Sequence, residues 1–281
     1  MPLSQGIIFG LIAMLSWGFS DFIVKMAIDR AGAYRTLFYS YLTGFIVSII
    51  FFIIFPQFFR LTAFLVILFL IEAFLVLLGY IAFYRGIEVE NISIVSPIVA
   101  GYPVVIILLS YFILREVFTL HQIIAFILMI LGLVLVSIKK KAKIGDNKGV
   151  YMAITAMLAF GSAIFLFGYL IKATNWIFAL VFGRILTMLL IFNYLKFRKI
   201  QLKVPKSILP FLIMVGILEI GGAISYSFGV NVSLVSLVSV ISSLYPLILV
   251  MLAGIFLKER ISNAQKLGIF TILLGLVLIS L

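Results

Sequence analysis

The segment GYPVVIILLSYFILREVFTLHQIIAFILMILGLVLVSI, at 101–138, returns in closely similar form as LYPLILVMLAGIFLKERISNAQKLGIFTILLGLVLISL at 244–281. Pro103 aligns with Pro246, Glu116 with Glu259 and Gly132 with Gly275, and the differences 246−103, 259−116 and 275−132 all equal 143. The same shift carries Gly79 onto Gly222, Gly86 onto Gly229, Ser96 onto Ser239, and the start GIIFGLIAMLSWG at Gly6 onto GVYMAITAMLAFG at Gly149. The chain is therefore a tandem duplication. Its copies are read at 5–138 and 149–281, with 139–148 as a basic linker.

Each copy must be a membrane unit. With 65% hydrophobic residues and a mean hydropathy of +1.36, the chain carries more apolar surface than a soluble domain of 281 residues could hide. Apolar runs of about 20 residues, each enough to cross ~30 Å of hydrocarbon as a helix, recur throughout. Ten spans are read, near 5–28, 34–55, 62–84, 92–114, 120–138, 149–171, 176–195, 207–229, 233–257 and 264–281. The expected fold is thus all-α, a polytopic membrane protein of ten transmembrane helices. Five crossings per copy make the second copy enter from the opposite face, so the repeats are expected to be inverted, as in many secondary transporters.

Charge supports alternation of the links. Of 21 lysines and arginines, 17 lie in or beside the links after spans 1, 3, 5, 7 and 9, and only Arg60, Arg115 and Lys172 lie on the other side, Arg184 being inside a span. By the positive-inside rule the odd links are cytoplasmic and both termini lie outside a cell membrane. The formal net charge of +12 then reports topology, and no nucleic-acid partner is expected. Lipid surrounds the chain, as monomer or homodimer. With no cysteine and a single histidine, His121, thiolate chemistry, a histidine metal cluster and a Ser-His-Asp triad are excluded, and no Walker lysine follows a glycine loop. No cofactor and no enzymatic activity are expected.

Charges buried in hydrocarbon are costly, at least ~2.5–3.5 kcal/mol each near the centre, and usually face a protein interior or a wet cavity. Asp21, Glu72, Arg184 and Glu219 sit well inside spans. Glu219 maps onto position 76 of the first copy (219−143), one turn from Glu72 on the same helix face, so the two acids should converge. None of the four is duplicated: Ile164, Val215, Tyr41 and Val76 occupy the matching positions. Arg184 could contact substrate or could lock helices by pairing with a glutamate. Trp17 shares a stripe with Asp21 on the first span, and Tyr41, Tyr80 and Tyr226 offer aromatic surface. Pro103 and Pro246 should bend spans 4 and 9 at matched depth, as a pair of hinges. Gly132 and Gly275, one heptad after Ala125 and Gly268, make a small-residue packing seam.

LSWG at 15–18, AFG at 159–161, and Tyr-Pro followed by an apolar run into REVFTLHQ or KERISNAQ and then ILGLVLVS or LLGLVLIS together resemble two tandem EamA-type units of the drug/metabolite transporter superfamily. The resemblance covers essentially the whole chain. It departs at Tyr102 and Tyr245, where the family typically has glutamate, so no role of that glutamate transfers. It implies a ten-helix secondary transporter whose central cavity is lined by spans other than 5 and 10, with Glu116 and Glu259 as structural acids. Many relatives are thought to hold both termini in the cytosol, opposite to the charge count.

The expected function is transport, by alternating access, of a small metabolite such as an amino acid, in the direction of export, with a coupling proton as a further partner. Arg184 would take a carboxylate or phosphate, Glu72 and Glu219 an amine or the proton, and Trp17 and the tyrosines the apolar part. Two alternatives are efflux of cationic drugs, suggested by carboxylates beside aromatics, and a lipid-handling membrane protein.

Overall fold

A computed structural model describes residues 2–89, 95, 98–99, 101–137, 147–256 and 262–279. Its helices are α1 (Pro2–Ala31), α2 (Ala33–Ile54), α3 (Ala63–Val89), α4 (Tyr102–Ile113), α5 (Leu120–Ser137), α6 (Asn147–Ala173), α7 (Trp176–Phe197), α8 (Leu209–Val232), α9 (Val235–Ser242), α10 (Tyr245–Phe256) and α11 (Asn263–Ile279). No strand occurs among the described residues. Six helices, α1, α2, α3, α6, α7 and α8, are long and apolar enough to cross a membrane, and shorter apolar helices occupy the remaining expected spans. Large apolar side chains such as Ile53, Phe64, Phe112 and Val277 lie on the outside, as a hydrocarbon solvent allows.

The two copies embrace with matched contacts. A Cβ on Gly222 would lie 2.5 Å from Trp17 of α1, and one on Gly79 would lie 2.7 Å from Phe160, the residue that the 143 shift makes equivalent to Trp17. Gly18 abuts Ile248 and the Tyr245 carbonyl, and its counterpart Gly161 abuts Val105 and the Tyr102 carbonyl. A Cβ on Gly132 would lie 2.6 Å from the Gly268 carbonyl, and one on Gly275 would lie 3.0 Å from the Ala125 carbonyl. These pairs interchange under the shift, so an approximate two-fold axis relates the copies. Glycine is needed at these places because the space a side chain would take is filled by an aromatic ring at Gly79 and Gly222 and by a backbone carbonyl at Gly18, Gly161, Gly132 and Gly275.

Helix directions follow from the same contacts. α1 and α8 are antiparallel, with Gly6 beside Ser233 and Ser20 bonded to Val215. α8 is parallel to α2, with Gly216 at Ser40 and Glu219 at Gly44. α2 is antiparallel to α7, pairing Tyr34 with Tyr194 and Phe51 with Trp176. α7 is parallel to α3, with Phe178 at Phe59 and Gly183 at Glu72. α3 is antiparallel to α6, with Gly79 at Phe160 and Gly86 at Met152. Traced through these steps, α1 and its counterpart α6 point in opposite directions, the relation that five crossings per copy require.

Spans 4 and 9 correct the expectation of a simple bend. In the first, Gly101 N–H bonds to Ile98 O at 3.0 Å and Val104 N–H to Gly101 O at 3.1 Å; in the second, Leu244 N–H bonds to Ile241 O at 3.2 Å and Leu247 N–H to Leu244 O at 2.9 Å. Residues 98, 101 and 104 become 241, 244 and 247 under the shift, so both helices break at the same place. Pro103 and Pro246 each stand second in the helix that restarts there, where a missing N–H costs nothing because the first turn has no partner for it. Tyr102 at one break faces the Ser243 side chain at the other. Ser93, Ser96 and Pro97 lie outside the described residues.

Candidate substrate site

The cluster is built around Arg184 of α7, only 8% exposed. Its Nη2 donates to Glu219 Oε1 of α8 at 3.0 Å and stands 2.9 Å from Oε2. Its Cζ lies 4.6 Å from the Tyr41 ring centroid on α2, a cation resting on an aromatic face. Tyr41 and Arg184 occupy equivalent positions in the repeat, so the two-fold axis passes between them, and the asymmetry of the site begins at the axis itself.

Small residues make the space. A Cβ on Gly44 would lie 3.3 Å from Glu219 Oε2 and 3.5 Å from Arg184 Cζ, and one on Gly183 would lie 3.7 Å from Glu72 Oε2. Glu72 of α3 is 7% exposed and interacts electrostatically with Arg184. Glu72 Oε2, Arg184 Nη1 and Glu219 Oε2 are buried and make no hydrogen bond. Glu219 Oε2 keeps its 2.9 Å ion-pair contact with Arg184 Nη2, whereas an unpaired buried polar atom such as Glu72 Oε2 costs ~1–3 kcal/mol, more when charged. Glu219, 21% exposed, and Asp21, half-buried on α1, lie within electrostatic reach of each other.

Aromatic side chains wall this cluster. Trp17 Nε1 donates to the Glu219 backbone carbonyl at 3.1 Å, which ties α1 to the carboxylate-bearing turn of α8. Tyr80 packs at right angles to Tyr41, their rings 5.9 Å apart, and sits edge-on to Phe160. Tyr226, 1% exposed, shares a 2.8 Å hydrogen bond with Ser239 and packs between Trp17 at 5.8 Å and Phe167 at 6.0 Å.

Seven of the residues read from sequence, Trp17, Asp21, Tyr41, Glu72, Tyr80, Arg184 and Glu219, thus meet in one cluster. Tyr226 closes it on the side of the α9 N-terminus, and Pro103 and Pro246 mark the helix breaks. Arg184 does pair with a glutamate, and Glu72, the other, is left without a hydrogen bond through Oε2. The side chain of Lys25, one helical turn after Asp21 and able by that spacing to neutralise it, lies outside the described residues. Sequence reasoning missed Gly44 and Gly183. A glycine next to an intramembrane charge, as Gly183 is to Arg184, was the available signal for the second of these.

The sequence model of the EamA-like transporter family matches residues 4–138 and again 147–281. An uncharacterized transporter of Archaeoglobus fulgidus is 26% identical over 209 residues, 73% of this chain and 72% of its own. An uncharacterized protein of Methanocaldococcus jannaschii is 26% identical over 136 residues, which is 48% of this chain but 98% of that protein, the size of a single copy. A crystal structure aligns over 98% of both chains with a TM-score of 0.80 at 15% identity, a likeness of fold.

Proposed function

Because the chain belongs to the EamA-like transporter family, a family of multi-pass membrane transporters, we propose that it carries a small metabolite bearing an amine and an acidic or acceptor group across the cell membrane, amino acids first, in the direction of export. One observation carries this reading: the central cluster holds two carboxylate oxygens and one guanidinium nitrogen without hydrogen-bond partners. An amine would satisfy Glu72 and Glu219, and an acceptor on the same molecule would satisfy Arg184 Nη1. Trp17 and Tyr80 would cover the apolar part, and rocking of the two copies about the paired breaks at Pro103 and Pro246 would alternate access. The lysine and arginine bias puts both termini outside; tags at either end accessible to impermeant reagent in intact cells would support that orientation.

The test is counterflow in liposomes, screening amino acids, nucleosides, sugar phosphates and organic cations with and without a pH gradient. An amine-bearing metabolite should exchange, and absence of flux for every class would sink the transport reading. If Glu72 or Glu219 carries a coupling proton, the pH dependence of flux should flatten in Glu72→Gln or Glu219→Gln protein; wild-type dependence in both variants removes the proton.

A second reading, efflux of cationic compounds, is favoured by the excess of carboxylates: Glu72 and Glu219 share the Arg184 guanidinium, and Asp21 lies within electrostatic reach of Glu219. It predicts that a lipophilic cation such as tetraphenylphosphonium competes for counterflow.

A further inference from the structure

Away from the central cluster, Glu116 lies in the link after α4, 9% exposed. Arg115 turns the chain there in the left-handed region, φ 54°, unusual for a residue with a side chain, and Glu116 N–H bonds back to Ser110 O at 3.2 Å. The turn aims the carboxylate into the other copy. Oε1 accepts Val235 N–H at 2.8 Å and Oε2 accepts Ser236 N–H at 3.3 Å, so a side chain of the first copy caps the N-terminus of α9 in the second. A negative charge at that end also meets the positive end of the helix dipole. Lys172, at the end of α6, interacts electrostatically with Glu116 and donates through Nζ to Asn231 O at 3.3 Å, gathering the end of α8 to the same point.

What this cap secures lies directly beneath it. Val235, Val238, Ser239 and Tyr226 are all buried and packed between Glu116 and the charged cluster. Within the cluster Glu219 keeps 21% exposure, and Asp21, one turn beyond Trp17 on α1 and away from Glu116, is half-buried. These buried side chains cover the cluster at the Glu116 end. That cover runs through α9, a short segment of eight residues cut off from α10 by the break at Leu244, and so able to swing only if its N-terminus is released.

We infer that Glu116 is a positioning residue for transport: its carboxylate holds α9 down and keeps this mouth shut, and its two hydrogen bonds to Val235 and Ser236 must break for the mouth to open. The inference rests on the alternating-access reading above and adds the latch to it.

The absence of cysteine makes single-cysteine labelling free of background. Ser239→Cys reports the sealed mouth, one turn below the cap and clear of the carboxylate itself; Val24→Cys, on the Asp21 face of α1, reports the opposite one. Both are labelled with a hydrophilic maleimide in detergent-solubilised full-length protein, with and without Glu116→Gln, which keeps the shape but removes the charge and one acceptor. Loss of a charge-assisted cap should raise Ser239→Cys labelling at least about tenfold and lower Val24→Cys labelling, as one mouth opens at the expense of the other. Glu116→Asp, which keeps the charge, should fall between Glu116→Gln and the unsubstituted protein. Unchanged Ser239→Cys labelling overturns the latch, and counterflow then decides the transport reading on its own. A rise at both positions also overturns it, since a loosened fold opens everywhere. A rise at Ser239→Cys with no change at Val24→Cys leaves the latch standing and removes alternating access.

Discussion

Arg184→Ala is expected to abolish counterflow and to lower thermal stability in detergent sharply. Removing one partner of a buried ion pair leaves the other charge uncompensated, typically at a cost of ~3–5 kcal/mol. Here the stranded charge would be Glu219, with the Asp21 and Glu72 carboxyls close by. The double variant Arg184→Gln with Glu219→Gln separates the two roles of the pair. It removes both charges together, so stability should return to near that of the unsubstituted protein, while flux should stay absent because the guanidinium that would orient the substrate is gone. If the double variant transports normally, Arg184 is a helix lock and nothing more.

The second large effect is expected far from the cluster. At the α5–α11 seam, a Cβ on Gly132 would meet Gly268 O at 2.6 Å, Thr271 Oγ1 at 2.5 Å and Ile272 Cγ1 at 2.7 Å. One of these is backbone and cannot rotate aside, so Gly132→Ala forces the helices apart. Overpacking of this kind costs ~1–3 kcal/mol, and Gly132→Leu should cost more still. The seam also packs on the buried face of α9 and α10 through Met129, Leu133 and Ile272 against Ile241 and Leu244. A lowered melting temperature with little change in the apparent affinity for substrate is the expected outcome. A large loss of affinity without loss of stability would mean that α5 and α11 belong to the transport pathway.

A smaller effect is expected at Trp17→Phe. The ring over Gly222 is retained, but the N–H that ties α1 to the Glu219 carbonyl is lost. About 0.5–1.5 kcal/mol of stability should go with that hydrogen bond. Substrate affinity should fall by more than stability does, since the carbonyl belongs to the residue that pairs with Arg184.

Much of the fold was legible in the sequence because apolar length and a constant repeat shift are local, countable properties. Phe160 and Trp17 occupy one repeat position, and each covers the partner glycine of the opposite copy. The gathering of Glu72, Arg184 and Glu219 followed from the cost of isolated charge in hydrocarbon. What the acids and the arginine do with one another did not follow. Glu72 and Glu219 project from the same helix face in the repeat, so spacing alone gave no reason for Glu219 to take the guanidinium and Glu72 to be left with an unpaired oxygen. The prolines show a similar limit. They announced an irregularity, yet the breaks depend on turns that begin at Ile98 and Ile241, several residues earlier.

By itself, the sequence determined that two copies of a five-span unit fill a bilayer, where the intramembrane charges lie, and which positions must be glycine-sized if helices are to touch. These are matters of solvation and covalent spacing. Only the tertiary structure decided which carboxylate neutralises Arg184, that Glu116 of one copy caps a helix of the other, and that buried side chains of α8 and α9 pack beneath that cap. Such choices rest on directed hydrogen bonds between residues 35 to 120 positions apart, and no property of either partner read alone specifies them.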